Sequence, residues 1–367
     1  MDSQMINIRD ELTSKAAIAC GSYPQRVFDA HPLVHMITNY VTVTDCVNAV
    51  LAIGGRGICS HAPQEAASVT KGADALVLNL GGTEFYDAME LSAIQALKSG
   101  IPLVIDPVGC AASDFRREKC LEFTLKYHPA AIRGNYAEIE ALINLWEEKS
   151  KLGPGYINNP DDEISETPDF KEVSQCGAAG RKPAGKDERV LYGNAGSAAV
   201  SQIEIKKRED DAYNSAKNME TDDCSASKAE NSGLDSAGSL DEVQSRTLHE
   251  KMIKFSRETK VMLIASGATD ICTDGITFKE VTCGTPALRR ITGAGCLSTS
   301  VLAAYLAVEN TLESAASAVS YIGLAGEAAY NAAKGRGFGA GHFHMFFMDA
   351  LSAADPLWRD KPQAFRL

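Results

Sequence analysis

Several absences narrow what this chain can be. No stretch reaches eighteen consecutive apolar residues, the length a membrane-spanning helix needs, so no span is expected. The opening MDSQMINIRDELTSKAA carries acids early and has no apolar central region, which argues against a secretory signal. Positive charge is short: 36 Lys and Arg stand against 48 Asp and Glu, for a net charge of −12. A nucleic-acid partner would need a basic face, and none is expected. Ten cysteines are present but scattered, at Cys20, Cys46, Cys59, Cys110, Cys120, Cys176, Cys224, Cys272, Cys283 and Cys296. They form no Cys-x-x-Cys pair and no cysteine–histidine cluster with zinc spacing. Scattered thiols in an acidic chain fit a reducing compartment, so the expected location is cytoplasmic. The sequence also lacks a Gly-x4-Gly-Lys-Ser/Thr phosphate loop and a GxGxxG after its first strand, so any phosphate must be bound by another route.

What is present is an alternation. Across 367 residues, 45% of them hydrophobic, there is ample material for a large core. LVHMIT (33–38) reads as a buried strand, and the following VTDCVNAVLAIGG as a helix stopped by Gly54 and Gly55. ADALVLNLGG (73–82) and IPLVIDPVG (101–109) are further buried strands, with FYDAMELSAIQALKSG a helix between them. DFRREKCLEFTLKYHP is helical, PAAIRGN (129–135) runs from strand to loop, and YAEIEALINLWEEK is helical again. Apolar strands alternating with helices indicate an α/β fold, a mainly parallel sheet with helices on both faces.

The alternation stops near residue 150. Between 151 and 250 twenty acids meet twelve bases, so this stretch holds most of the chain's negative charge, and large apolar residues are few. A hundred residues without periodicity are not a loop inside a compact fold. They predict an acidic low-complexity insertion over 151–240, largely disordered, with short helices around 198–208. The pattern resumes with LDEVQSRTLHEKMIKFSRE (helix), KVMLIASG (strand) and DICTDGITFKEVTC, a hairpin turning at Asp274 and Gly275. Ala-rich helices follow over 296–309 and 312–334, then a final helix near 343–354. Residues 1–150 and 241–367 therefore form one domain around one insertion.

Polar groups gather at the expected strand ends, where ligands of open parallel sheets bind. They are Asn39, Asp106, Arg133 with Asn135, Ser266, and the turn TGAGC containing Gly293, Gly295 and Cys296. A glycine turn entering a helix exposes N–H groups, and the helix dipole adds about half a positive charge there. That favours an anion such as a phosphoryl group, and would also lower the Cys296 pKa towards a thiolate. The alternative is that the glycines serve close packing and Cys296 is a small buried hydrophobe. Asp106, before Pro107, is either a turn residue or, with Glu138, a holder of Mg²⁺ through water. Arg133 can clamp a phosphate or pair with Glu138 or Glu140. His31 and His35 flank a proline and a strand, and no metal is assigned to them.

Taken together, PLVHMITNYVTVTDCVNAVLAIGG, ALVLNLGG, VIDPVGC, PAAIRGNYAEI, ASGATDICTDG, ITGAGCLSTS and GHFHMFFMDAL resemble the hydroxyethylthiazole kinase family. The resemblance covers the chain in order except 151–240. It implies a ribokinase-like fold and ATP-dependent phosphorylation of 4-methyl-5-(2-hydroxyethyl)thiazole, a salvage step of thiamine biosynthesis. Carried over, Arg133, Ser266 and Asn135 would serve ATP, and Asp106 and Glu138 would serve Mg²⁺. Gly293 and Gly295 would form the anion hole, and Asn39, Cys59 and Gly293 would face the thiazole. Cys296 would stand where aspartate-bearing relatives keep a base. The family resemblance further implies a homotrimer with active sites between subunits. Two departures stand out: GGRGICS places Cys59 or a neighbour where the family commonly has methionine, with Arg56 expected near the same pocket, and the insertion is atypical. A related kinase for another small alcohol, or a non-catalytic paralogue using its insertion for interaction, are the alternatives. A dehydratase on this fold would want an aspartate at Cys296. A cysteine hydrolase would need His342 or His344 beside that thiol.

Overall fold

The buried runs of the sequence do become the sheet. The computed structural model describes residues 8–151 and 242–355; apart from Lys151, the insertion expected over 151–240, with its helices at 198–208, lies outside the described residues. Eight strands form one sheet: β1 (Leu33–Ile37), β2 (Arg56–Cys59), β3 (Ala75–Asn79), β4 (Leu103–Asp106), β5 (Ala131–Asn135), β6 (Met262–Ser266), β7 (Asp270–Thr273) and β8 (Phe278–Val281). Their order is β2-β1-β3-β4-β5-β6-β7-β8. The first six run parallel; β7 turns back antiparallel to β6, and β8 pairs antiparallel with β7. The expected hairpin closes where Asp274 Oδ1 accepts the N–H groups of Ile276 and Thr277, at 2.9 and 2.8 Å.

Helices cover both faces, as an all-buried parallel sheet requires. On one side lie α1 (Ile8–Ala19), α2 (Tyr23–Ala30), α3 (Val43–Ala52), α9 (Ala294–Val308), α10 (Leu312–Gly335) and α11 (Ala340–Leu351). On the other lie α4 (Pro63–Lys71), α5 (Tyr86–Ser99), α6 (Asp114–Tyr127), α7 (Tyr136–Lys151) and α8 (Glu242–Thr259). The sequence AGCLSTSVLAAYLAV is apolar on every side because α9 is buried all round, lying over β1, β3 and β4 with α3 and α10 beside it. Among the described residues, no helix is long and apolar enough to cross a membrane.

Four elements were not expected from sequence: α1, α2, β2 and α4. Strand β2 is a four-residue edge strand whose side chains are only half covered, and α4 buries just Ala66 and Thr70. Neither carries a readable apolar period. One histidine ties this corner together. His35, on β1, is fully buried; its Nε2 donates to the Ser60 carbonyl at 3.2 Å and its Nδ1 meets the Thr70 hydroxyl at 2.8 Å. Burial drives its pKa down to about 4, so it packs as a neutral core group.

With β2 on one side of β1 and β3 on the other, the direction of winding reverses at β1. That is the topological switch point of this sheet, and the crevice beyond the carboxyl ends is the geometric place for a ligand.

Candidate active site

Parallel register brings the strand-end polar residues level with one another. Asn79, the last residue of β3, pairs with Asp106, the last of β4. Asn135 of β5 pairs in the same way with Ser266 of β6. The turn Gly293–Cys296 enters α9 at this edge and completes the rim.

At the switch point four side chains form one cluster. Asn79 Nδ2 donates to Asp106 Oδ2 at 2.7 Å and to Cys296 Sγ at 3.0 Å. Asn39 Nδ2 lies 3.3 Å from Asn79 Oδ1 and 3.9 Å from the same sulfur. Asn39 Oδ1 in turn accepts from the Val41 N–H and the Thr42 hydroxyl, so its amide orientation is set. Asn39, Asp106 and Cys296 were expected here. Asn79 was not, although it carries the same signal as Asp106: a lone polar residue closing a buried strand.

The glycine turn separates into two different roles. Gly293 is the N-cap of α9 with φ +77°, and a Cβ there would meet Thr42 Cγ2 at 2.2 Å. Close packing and backbone shape both demand glycine at this position. Gly295 is different, since a Cβ would meet nothing nearer than Arg133 Nη1 at 3.7 Å. Packing does not explain it. Arg133 Nη1 donates to the Gly295 carbonyl at 3.0 Å, which fastens β5 to this turn. The guanidinium is 8% exposed, and its Nε is buried without a hydrogen-bond partner. It forms no ion pair with Glu138 or Glu140; Glu140 faces Lys251.

Glu138 and Asn135 build a capping box at the start of α7. Asn135 Oδ1 accepts the Glu138 N–H at 2.9 Å, and Glu138 Oε2 accepts the Asn135 N–H at 3.0 Å. The other carboxylate oxygen, Oε1, takes the Gly109 N–H at 3.0 Å. Glu138 therefore joins the loops after β4 and β5, and Asn135 spends its side-chain oxygen on the cap. Ser266 has a buried hydroxyl with no partner. Beside it Asp270, unforeseen from sequence, accepts the Gly267 N–H at 2.8 Å, and the Tyr136 hydroxyl donates to the Thr269 carbonyl.

Charge in this edge is under tension. Asp106 is 4% exposed; burial first, then the nearby Glu138 carboxylate, push its pKa up to about 7. Burial also raises Glu138 and Asp270, against the lowering field of Arg133. The expected lowering of Cys296 is overturned. Burial and the adjacent Asp106 carboxylate hold this thiol well above its ordinary value, and together they outweigh the helix terminus. Burial thus favours the neutral thiol over the thiolate at Cys296.

One expected neighbour stands elsewhere. Arg56 opens β2 opposite Leu33, at the amino edge of the sheet, where its Nε donates to the His31 carbonyl and its Nη2 lies 3.6 Å from Asp74. A strand was hidden in RGIC, and its direction carries Arg56 away from the pocket. Cys59 ends β2 opposite Met36, half-buried, outside the Asn39–Asn79–Asp106–Cys296 hydrogen bonds. Of the histidines, His344 faces Asp45 at 3.5 Å. Next to Asn39, a group of rings also escaped the sequence reading: Phe85 packs edge-on to Tyr40 at 5.2 Å and against His61 at 4.4 Å. Among the described residues no set of three or more His, Cys, Asp and Glu side chains could hold a metal ion by itself.

Known proteins resemble this chain in sequence and in fold. Residues 25–152 and 218–356 match the model of the hydroxyethylthiazole kinase family. The chain is 29% identical to hydroxyethylthiazole kinase 1 of Methanosphaera stadtmanae, over 88% of this chain and 87% of that one. It is 29% identical to hydroxyethylthiazole kinase of Methanobrevibacter smithii, over 89% and 88%. A solved structure, described as hydroxyethylthiazole kinase protein from Pyrococcus horikoshii, shares the fold with a TM-score of 0.59 at 24% identity, covering 90% of this chain and 91% of its own. The family match spans well over half the sequence and includes every strand-end residue discussed above. The chain belongs to the hydroxyethylthiazole kinase family.

Proposed function

We propose that this chain transfers the terminal phosphoryl group of ATP to the primary alcohol of 4-methyl-5-(2-hydroxyethyl)thiazole, returning the thiazole to thiamine biosynthesis. The observation that carries the reading is the meeting of Asn39, Asp106 and Cys296 at the switch point, beside a turn where a Cβ on Gly295 would meet nothing nearer than Arg133 Nη1 at 3.7 Å. Phosphoryl transfer asks for positioning and charge neutralisation more than for covalent help. The Gly293–Gly295 turn cradles the moving phosphoryl group with backbone N–H groups and the start of α9. Arg133 and Ser266 take the nucleotide phosphates; their buried, unpartnered Nε–H and hydroxyl support that role, and Asn135 shapes the same loop.

Asp106 and Glu138 would hold Mg²⁺ through water, and the ion would supply charge neutralisation on the phosphates. The two carboxylates fit it: they are buried, and the field of Glu138 already raises Asp106. Asn39, Cys59 and Gly293 bound the alcohol. Cys296 meets the hydroxyl as a neutral thiol; late in the transfer the sulfur takes the hydroxyl proton as its own passes to the Asp106 carboxylate. The working enzyme is a cytoplasmic homotrimer with sites between subunits, its kinase domain made of 1–150 and 241–367. Tyr40 and Val41, 71% and 73% exposed beside Asn39, support a neighbouring subunit at this edge.

The test removes the sulfur. Cys296→Ala is expected to lower kcat by about a hundredfold, the scale of general acid–base help, while calorimetry finds Mg-ATP affinity unchanged. Full kcat in this variant would overturn the role given to Cys296.

A further inference from the structure

We infer that Asn79 is a positioning residue for this phosphoryl transfer: its side-chain amide holds the Cys296 sulfur and the Asp106 carboxylate in one arrangement at the switch point. The inference rests on the reading of the site as a kinase centre, but its geometry is independent of the substrate.

Asn79 is 1% exposed, and each atom of its amide is committed. The Gly81 N–H donates to Oδ1 at 3.0 Å. A backbone N–H can only donate, so Oδ1 must face Gly81 and Nδ2 must face the other way. Asn39 enforces the same choice. Its oxygen is engaged by Val41 and Thr42, so its amide nitrogen points at Asn79 Oδ1, 3.3 Å away. Both hydrogens of Asn79 Nδ2 are thereby aimed at chemistry, one at Asp106 Oδ2 (2.7 Å) and one at Cys296 Sγ (3.0 Å).

The three partners come from β3, β4 and α9, and among the described residues Asn79 is the one side chain hydrogen-bonded to both Asp106 and Cys296. Cys296 sits in the first turn of a helix that starts from a φ > 0 glycine, and a sulfur there needs a donor to keep one rotamer. A buried amide that merely satisfied itself could have done so with backbone groups alone. This one uses only its oxygen on the backbone.

The experiment compares Asn79→Ala and the smaller polar replacement Asn79→Ser with the wild type, each checked for folding by circular dichroism and thermal melting. Steady-state kinetics with Mg-ATP and the thiazole alcohol should show kcat lowered about ten- to a hundredfold, the cost of misplacing reacting groups. KM for both substrates should stay within about twofold, with partial recovery of kcat in Asn79→Ser. A second readout needs no turnover: alkylation of Cys296 by iodoacetamide, which proceeds through the thiolate, followed on the peptide that contains it, should slow several-fold once the Asn79 donor to the sulfur is lost. An unchanged kcat and alkylation rate in folded variants, or a raised KM at full kcat, overturns the inference. Absence of wild-type turnover would sink the kinase reading, and the alkylation rates would still decide the role of Asn79.

Discussion

Asp106 occupies a position where a charge is disfavoured. It is buried next to a second carboxylate, and its folded pKa of about 7 lies above the ordinary 3.8. Between about pH 4 and 7 the folded protein keeps a proton that the unfolded chain has lost, so this group costs stability as pH rises through that window. Replacing it should therefore stabilise the molecule. In metal-free buffer, Asp106→Asn should unfold at higher urea than the wild type at pH 8, by up to roughly 4 kcal/mol, and the gain should fade towards pH 4. The same variant should lose turnover. A stability difference independent of pH would show that Asp106 is not strained. At this scale sequence reasoning found Asp106, Arg133 and Cys296, because each is a polar or reactive residue abutting a strand or a glycine turn. It passed over Asn79 and Asp270, whose importance lies in contacts with residues far away in the chain. It also misjudged the Cys296 thiol. A helix terminus can be read from sequence, but burial and the approach of Asp106 cannot.

The element that separates structure from chemistry most cleanly is the turn into α9. Gly293 is held by φ +77° and by Thr42 packed against it, whereas a Cβ on Gly295 would make only an ordinary contact with Arg133 Nη1. Gly293→Ala should cost at least about 1 kcal/mol in chemical denaturation. Gly295→Ala should leave stability unchanged or raised by up to about 1 kcal/mol, since it removes a glycine from a helix, yet lower kcat/KM for ATP. Equal destabilisation by both would return the turn to a purely packing role. The strongly apolar strands and the Ala-rich helices were legible because their patterns exceed what loops tolerate. The edge strand β2 and helix α4 were not, since elements that bury one or two residues leave no period to read. The direction of β2 then decided where Arg56 goes, which composition alone could not.

For the whole molecule, the alternation of strands and helices announced a parallel sheet, and the reversal at β1 followed only once strand order was known. The acidic stretch between α7 and α8 is proposed to be dispensable for folding. Deleting about residues 155–238 should leave a single cooperative unfolding transition; its loss would show that the stretch belongs to the folded core. The central claim, that this edge of the sheet phosphorylates a thiazole alcohol, is tested most directly by identifying the product. Purified protein with Mg-ATP and 4-methyl-5-(2-hydroxyethyl)thiazole should yield ADP and, by mass spectrometry and ³¹P NMR, the phosphate ester of the thiazole in equal amounts. ADP release with another small alcohol but none with the thiazole would contradict the substrate assignment, and no ADP with any alcohol would contradict the kinase itself.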